Sequence, residues 1–179
     1  MFMHVKTKNI AFLGLMMAIT VLLVVLSGVF EINTFFLLAL ASFCTGIAIH
    51  EYGLASGTAF YIGSILLNLI LAPNKLYVGT YAGIGLYIVV TEFIWRKIFK
   101  MEYNYRNVVI LTIVKVIIFN AMYIPILLFF PDLLSGIKMN TAIFVVLLLI
   151  GQVILLLFDK AYKYFMNRYW GQIRRALRL

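Results

Sequence analysis

The chain has 179 residues, of which 65% are hydrophobic and only 12% are charged, and its mean hydropathy is +1.07. Since a spanning helix takes about 20 apolar residues, six spans would use nearly all of this length, which leaves no room in these residues for a soluble catalytic or nucleotide-binding domain. The net charge of +9 comes from basic residues that lie beside hydrophobic segments, so anionic lipid headgroups of the inner leaflet, and no nucleic acid, are the expected partners. The single cysteine, Cys44, excludes an intrachain disulfide and a multi-cysteine metal site.

Six apolar runs in chain order predict an all-α, six-helix transmembrane bundle. The runs cover residues 10–30, 34–49, 53–71, 76–94, 107–130 and 141–158. Short polar or turn-forming stretches separate them, so consecutive helices are predicted to pack antiparallel. The first run is long and lacks a small-residue cleavage site, which predicts a retained helix and not a signal peptide.

The distribution of basic residues predicts that both termini are cytoplasmic in a multi-pass protein of the cell membrane. Twelve of the 15 Lys and Arg residues fall in the N-terminal segment, the loop after the fourth run or the C-terminal tail. Only Lys75 and Lys138 fall in the predicted outer loops, and positive charge favours the cytoplasmic side.

Residues 159–179 form a separate basic tail after the transmembrane domain of residues 1–158. Its apolar residues recur every three or four positions, from Tyr162 to Leu177, and Lys and Arg fill much of the remaining surface. This pattern is typical of an amphipathic helix lying on the inner leaflet, and a plain extension of the last span is the alternative.

Lys115 lies in the middle of the fifth apolar run. A charged side chain at membrane depth is costly, so it usually faces a partner or an aqueous cavity. We expect an intramembrane charge network in which Lys115 pairs with Glu92 or Glu51. Such a pair would serve bundle cohesion or gating, and a proton relay is the weaker interpretation.

A second group of polar residues falls toward the predicted outer side and gives the candidate ligand-binding set: Asn33, Tyr77, Tyr81, Asn120 and Tyr123. Asn120 precedes Pro125 by five residues, and a proline inside a helix frees a backbone carbonyl. A small polar pocket at this kink is one interpretation. An ordinary kink with Asn120 bonded to a neighbouring helix is the other.

Small residues four apart allow helix backbones to approach closely in membranes. Three such pairs stand out: Gly14/Ala18, Gly53/Gly57 and Gly79/Gly83. Internal packing is the default interpretation, and a surface for another subunit is most plausible for Gly14/Ala18. The sequence contains no catalytic motif, no set of zinc ligands and no cofactor motif, so we predict neither enzymatic activity nor a cofactor.

The chain resembles the substrate-binding (S) subunits of energy-coupling factor (ECF) transporters. The resemblance lies in the six-helix layout with cytoplasmic termini and in the step Gly14-Leu-Met-Met-Ala18 of the first helix, where the family usually has Ala-xxx-Ala. It implies an integral membrane subunit that captures a vitamin-like micronutrient. Such a subunit docks through its first helix onto a membrane coupling subunit driven by separate ATPases.

Two other classes of protein remain open. A small membrane scaffold would use the glycine steps and the basic tail for partner proteins only, and its interior would be filled by side chains. A small intramembrane enzyme would need His50 or Glu51 in a lipid-accessible cleft.

Overall fold

The protein is described by a computed structural model that covers residues 2–30, 33–98, 105–129 and 141–177. These residues are almost entirely helical and contain no strand, which confirms the all-α prediction. The elements are α1 (Phe2–Ser27), α2 (Thr34–Leu71), α3 (Lys75–Ile98), α4 (Tyr105–Phe129), α5 (Thr141–Tyr164), a π-helical turn (Phe165–Trp170) and α6 (Gly171–Leu177). The predicted loop residues Lys100 and Lys138, the end of the fifth run at Phe130 and the last two tail residues lie outside the described ranges.

Four segments of the described residues are long and apolar enough to cross a membrane. They are Thr7–Ser27, Thr34–Leu71, Lys75–Lys97 and Ala142–Arg175, and a shorter apolar stretch covers Val109–Pro125. These lengths and compositions are compatible with a membrane location, since a typical hydrocarbon core needs about 20 apolar residues of helix.

The 38-residue α2 is divided at Gly53, which has φ 85° and ψ 171°. This backbone conformation is open almost only to glycine. A Cβ added to Gly57 would lie 2.7 Å from Ile49 Cα, whereas eight residues of straight helix would separate these positions by about 12 Å. The two parts of α2 therefore fold back on each other: Gly53 allows the bend, and Gly57 allows the close packing against Ile49.

Polar side chains cap the backbone at both bends of this region. A guanidinium nitrogen of Arg96, near the end of α3, donates to the carbonyl of Ile49 at 2.8 Å. Beyond the other end of α2, Lys75 Nζ donates to the carbonyls of Leu69 at 2.5 Å and Ala72 at 2.8 Å. Helix ends leave carbonyls without intrahelical partners, and cations at a helix C-terminus also favour the helix dipole.

The chain divides into two compact units, residues 1–97 and 98–179. In the first unit, α1 packs against α2 through a buried stripe at helical spacing: Met16, Thr20, Val24 and Ser27. The two hydroxyls on this stripe donate to carbonyls of their own helix, Thr20 to Met16 at 2.9 Å and Ser27 to Val24 at 2.7 Å. The stripe is thus buried without unpaired hydroxyls.

In the second unit, α4 and α5 run antiparallel. The pairing of positions 115 with 159, 120 with 152 and 123 with 147 shows this direction, because one number rises as the other falls. The helix that begins at Thr141 continues through the π-helical turn to Leu177 without leaving helical geometry. The domain boundary predicted at residue 158 falls inside this continuous helix and remains a prediction.

Candidate functional site

Tyr81 is the most deeply buried member of the predicted ligand-binding set, with no exposed surface. Its hydroxyl lies 2.6 Å from Ser64 Oγ and 3.3 Å from Thr45 Oγ1, and both of these side chains are also fully buried. The Tyr81 hydroxyl thus joins α3 to the two halves of the divided α2. Sequence reasoning missed Ser64 and Thr45 because hydroxyls inside apolar runs are common and usually bond to their own helix.

One buried acceptor beside this group has no partner among the described residues. Asn68 is fully buried, and its Nδ2 donates to the carbonyl of Ser64 at 2.8 Å, while its Oδ1 accepts no hydrogen bond from them. An unpaired acceptor in a buried position costs roughly 1–3 kcal/mol. Such an atom is a place where a water or a ligand donor would be stabilising.

Asn33 and Tyr77 take no part in the hydrogen bonds that join Tyr81 to Ser64 and Thr45. Asn33 precedes α2 and is exposed. Tyr77 is partly buried against the core of the first unit, and its ring lies within 3.7 Å of where a Cβ on Gly28 would be. The structure assigns these two residues to a helix boundary and to packing.

Asn120 and Tyr123 belong to the second unit, where both bind α5. Gln152 Nε2 donates to Asn120 Oδ1 at 2.7 Å, and Asn120 Nδ2 donates to the carbonyl of Val116 at 2.9 Å. Tyr123 donates to the carbonyl of Leu147 at 3.0 Å, and a Cβ on Gly151 would lie 2.9 Å from Tyr123 Cζ. This is the arrangement of the alternative interpretation, in which Asn120 bonds to a neighbouring helix.

Lys115 is buried and forms an ion pair with Asp159 of α5. The same carboxylate binds Lys163 at 3.0 Å, and that lysine side chain is 58% exposed. The acid that pairs with Lys115 is therefore Asp159, which was predicted to belong to the tail and not to the charge network. Glu51 and Glu92 belong to the other unit, so their pairing with Lys115 remains a prediction.

Two signals in the sequence could have indicated these partners. Gln152 is the only side chain with an amide or a charge between residues 141 and 158, so it stands out in its run as Lys115 does. Asp159 is the first charge after that run. The sequence does not give the register of α5 against α4, because the segment that connects two antiparallel helices does not determine how far one helix is shifted along the other.

The predicted partner interface lies on an exposed side of α1. Gly14 and Ala18 are both exposed, and a Cβ added to Gly14 would meet no atom within 4 Å. Large apolar side chains flank this step, and Ile10, Leu15 and Leu22 are each more than half exposed. The Gly14/Ala18 face is therefore distinct from the stripe that packs against α2.

The concavities formed by the described residues include two open ones. One, of about 440 Å³, lies between α1 and the bend of α2 and is lined by Asn9, Ile10, Leu13, Glu51, Tyr52 and Ser56. The other, of about 660 Å³, lies along the helix that follows Lys160 and is strongly basic. Neither is lined by a residue of the predicted ligand-binding set, although Glu51 of the first belongs to the predicted charge network.

Comparison with protein-family models, with characterised proteins and with solved structures found no match to this chain.

Proposed function

We propose that this protein is a membrane subunit that captures a small, vitamin-like micronutrient from outside and passes it to separate coupling and ATPase subunits. The observation that carries the proposal is the position of the Gly14/Ala18 step. It lies on the exposed side of α1, while a different stripe of the same helix packs internally. A small-residue face left open in this way suits close approach by a helix of another subunit.

Six spans with cytoplasmic termini are part of the same proposal. The parts of α2 before and after Gly53, residues 34–52 and 54–71, are about 29 Å and 27 Å long at 1.5 Å per residue, close to the thickness of a hydrocarbon core. The 25 residues of α4 suffice for a further span, since the ion pair with Asp159 offsets the charge of Lys115. Together with α1, α3 and α5 these segments make six.

For the ligand site, support is strongest around Tyr81. Its hydroxyl, those of Ser64 and Thr45 and the unpaired Oδ1 of Asn68 place several polar atoms in an otherwise apolar interior. Few polar groups in apolar surroundings are the usual composition of a small-molecule site. Asn120 and Tyr123 remain in the proposal as groups that a conformational change would have to release from α5.

The second candidate function is a membrane scaffold, and one observation favours it. The hydroxyl or amide groups of Tyr81, Asn120 and Tyr123 are all engaged in bonds between helices. A protein whose polar interior serves cohesion alone needs only its outer faces for partners. The two candidates differ in whether a small molecule is bound.

The docking step is tested with a matched pair of glycine substitutions. Gly14→Leu and Gly79→Leu each introduce the same side chain where a Cβ meets no atom within 4 Å, so neither should disturb the fold. We expect Gly14→Leu to abolish isolation of the protein with its ATPase-bearing complex and to abolish uptake, while Gly79→Leu retains both. Equal behaviour of the two variants, or unfolding of Gly14→Leu in detergent, would contradict the proposed interface.

A further inference from the structure

The basic concavity on the last helix has no acidic lining residue. Its lining consists of Lys160, Lys163, Tyr164, Asn167, Arg168, Gln172 and Arg175. Four of these seven side chains carry a positive charge, and the other three offer amide or hydroxyl donors. Nearby Asp159 is already shared between Lys115 and Lys163, so its charge is offset within the protein.

The π-helical turn of residues 165–170 brings these side chains onto one face. In an α-helix, positions four apart drift by about 40° per step, so Gln172 would lie about 120° from Lys160. A π turn has a hydrogen bond from residue i+5 to residue i and contains one extra residue. The residues after it are therefore rotated about the helix axis by roughly 100° relative to a regular α-helix. Lys160, Arg168, Gln172 and Arg175 therefore share one side of the helix, while Met166 and Trp170 are buried.

This face begins where a membrane-spanning helix would reach the headgroup layer. The 18 residues 141–158 contain no charged side chain, and at 1.5 Å per residue they extend for about 27 Å. The charges begin directly afterwards, at Asp159 and Lys160. A helix that crosses the hydrocarbon core with these 18 residues thus places Lys160 and Lys163 at the level of lipid phosphates. Arg168 and Arg175 follow about 12 Å and 22 Å beyond Lys160 along the helix.

We infer that the face formed by Lys160, Lys163, Arg168 and Arg175, which extends over about 22 Å of helix, is a binding surface for the phosphodiester headgroups of anionic membrane lipids. Guanidinium groups bind phosphate oxygens in a bidentate manner, and lysine adds a point charge. The amide groups of Asn167 and Gln172 donate to further headgroup oxygens. The inference rests on the membrane location and not on the capture function, so either can fail without the other.

The test compares two triple variants that remove equal charge. Lys160→Gln/Arg168→Gln/Arg175→Gln alters the face, whereas Lys8→Gln/Lys97→Gln/Arg174→Gln alters three exposed residues outside it. Each full-length protein is placed in nanodiscs of phosphatidylcholine and phosphatidylglycerol, and the retained phosphatidylglycerol is measured by native mass spectrometry. Since a surface cation contributes about fivefold to binding, we expect the first variant to lose on the order of 100-fold in relative affinity and the second to retain it.

Two single substitutions repeat the comparison in case the triple variant misfolds. Arg175→Gln is expected to weaken phosphatidylglycerol retention about fivefold, while Arg174→Gln, the adjacent residue outside the face, leaves it unchanged. Equal losses in the face and control variants would overturn the site. Displacement of the lipid by inorganic phosphate at millimolar concentration would also overturn it, as would binding of an RNA oligonucleotide to the detergent-solubilised protein with the same dependence on the three cations.

Discussion

Lys115 shows how a single costly residue is accommodated between two apolar helices. Its side chain is 9% exposed and pairs with Asp159, whose side chain is 19% exposed and also binds Lys163. A buried pair is weak evidence for net stability, because both charges lose water, but removal of one partner leaves the other uncompensated. Removal of Asp159 would leave Lys115 without its carboxylate, whereas removal of Lys115 would leave Asp159 bound to Lys163.

This asymmetry predicts an order of stabilities. Asp159→Leu should lower the free energy of unfolding by about 3 kcal/mol or more, because the ammonium of Lys115 loses its carboxylate in a buried position. Lys115→Met should cost less, since Lys163 still binds Asp159. The double variant Lys115→Met/Asp159→Leu should be more stable than Asp159→Leu alone. Thermal unfolding in detergent measures all three variants.

Lys163→Met is the control for this series. Because the Lys163 side chain is exposed, its ion pair with Asp159 should contribute less than about 1 kcal/mol to the free energy of unfolding. If the double variant loses as much stability as the two single variants added together, Lys115 and Asp159 are not coupled and the interpretation is wrong.

Among the helices, the structure uses glycine for three distinct purposes. Gly53 supplies a positive φ, Gly57 and Gly151 allow close approach of Ile49 and Tyr123, and Gly14 leaves an open surface. A spacing pattern in the sequence cannot separate these uses, because it records only where side chains are small. What a glycine faces is decided by helix register, which the sequence does not display.

The division of α2 predicts that replacing Gly53 by a residue with a Cβ lowers the free energy of unfolding, because the backbone at this position has a positive φ. An alanine there meets no atom within 4 Å, so Gly53→Ala tests backbone strain alone and should cost about 1–3 kcal/mol. Gly79→Ala, also without a contact but in a helical conformation, should be neutral or stabilising by up to about 1 kcal/mol. Thermal unfolding of both variants gives the comparison, and equal stabilities would mean that α2 passes residue 53 as a regular helix.

At the scale of the whole molecule, the all-α class and the positions of most helices could be predicted from the sequence. The apolar runs have a length set by the membrane, and Gly53 and Pro73-Asn74 mark the places where helices cannot continue. The pairing of side chains could not be predicted. Asp159 meets Lys115 and Gln152 meets Asn120 through the register of α4 against α5, which depends on packing along their full length.

The π-helical turn could not be predicted from sequence patterns either. The expected α-helical spacing of the tail, from Tyr162 to Leu177, assumes 3.6 residues per turn, and the extra residue at 165–170 changes which side chains share a face. Tyr162, Met166 and Trp170 are buried, while Tyr169 and Ile173 are exposed. The basic face follows from this rotation and not from charge density alone.

The central claim, capture of a small molecule for a coupled transport complex, is tested most directly by native mass spectrometry of the protein released gently from its own membrane. The account predicts a small molecule bound in a fixed ratio, lost when the protein is unfolded, and a larger assembly that contains nucleotide-binding ATPase subunits. Release of the protein without any small molecule, in an assembly free of ATPases, would contradict the capture function and assign the molecule to the scaffold class.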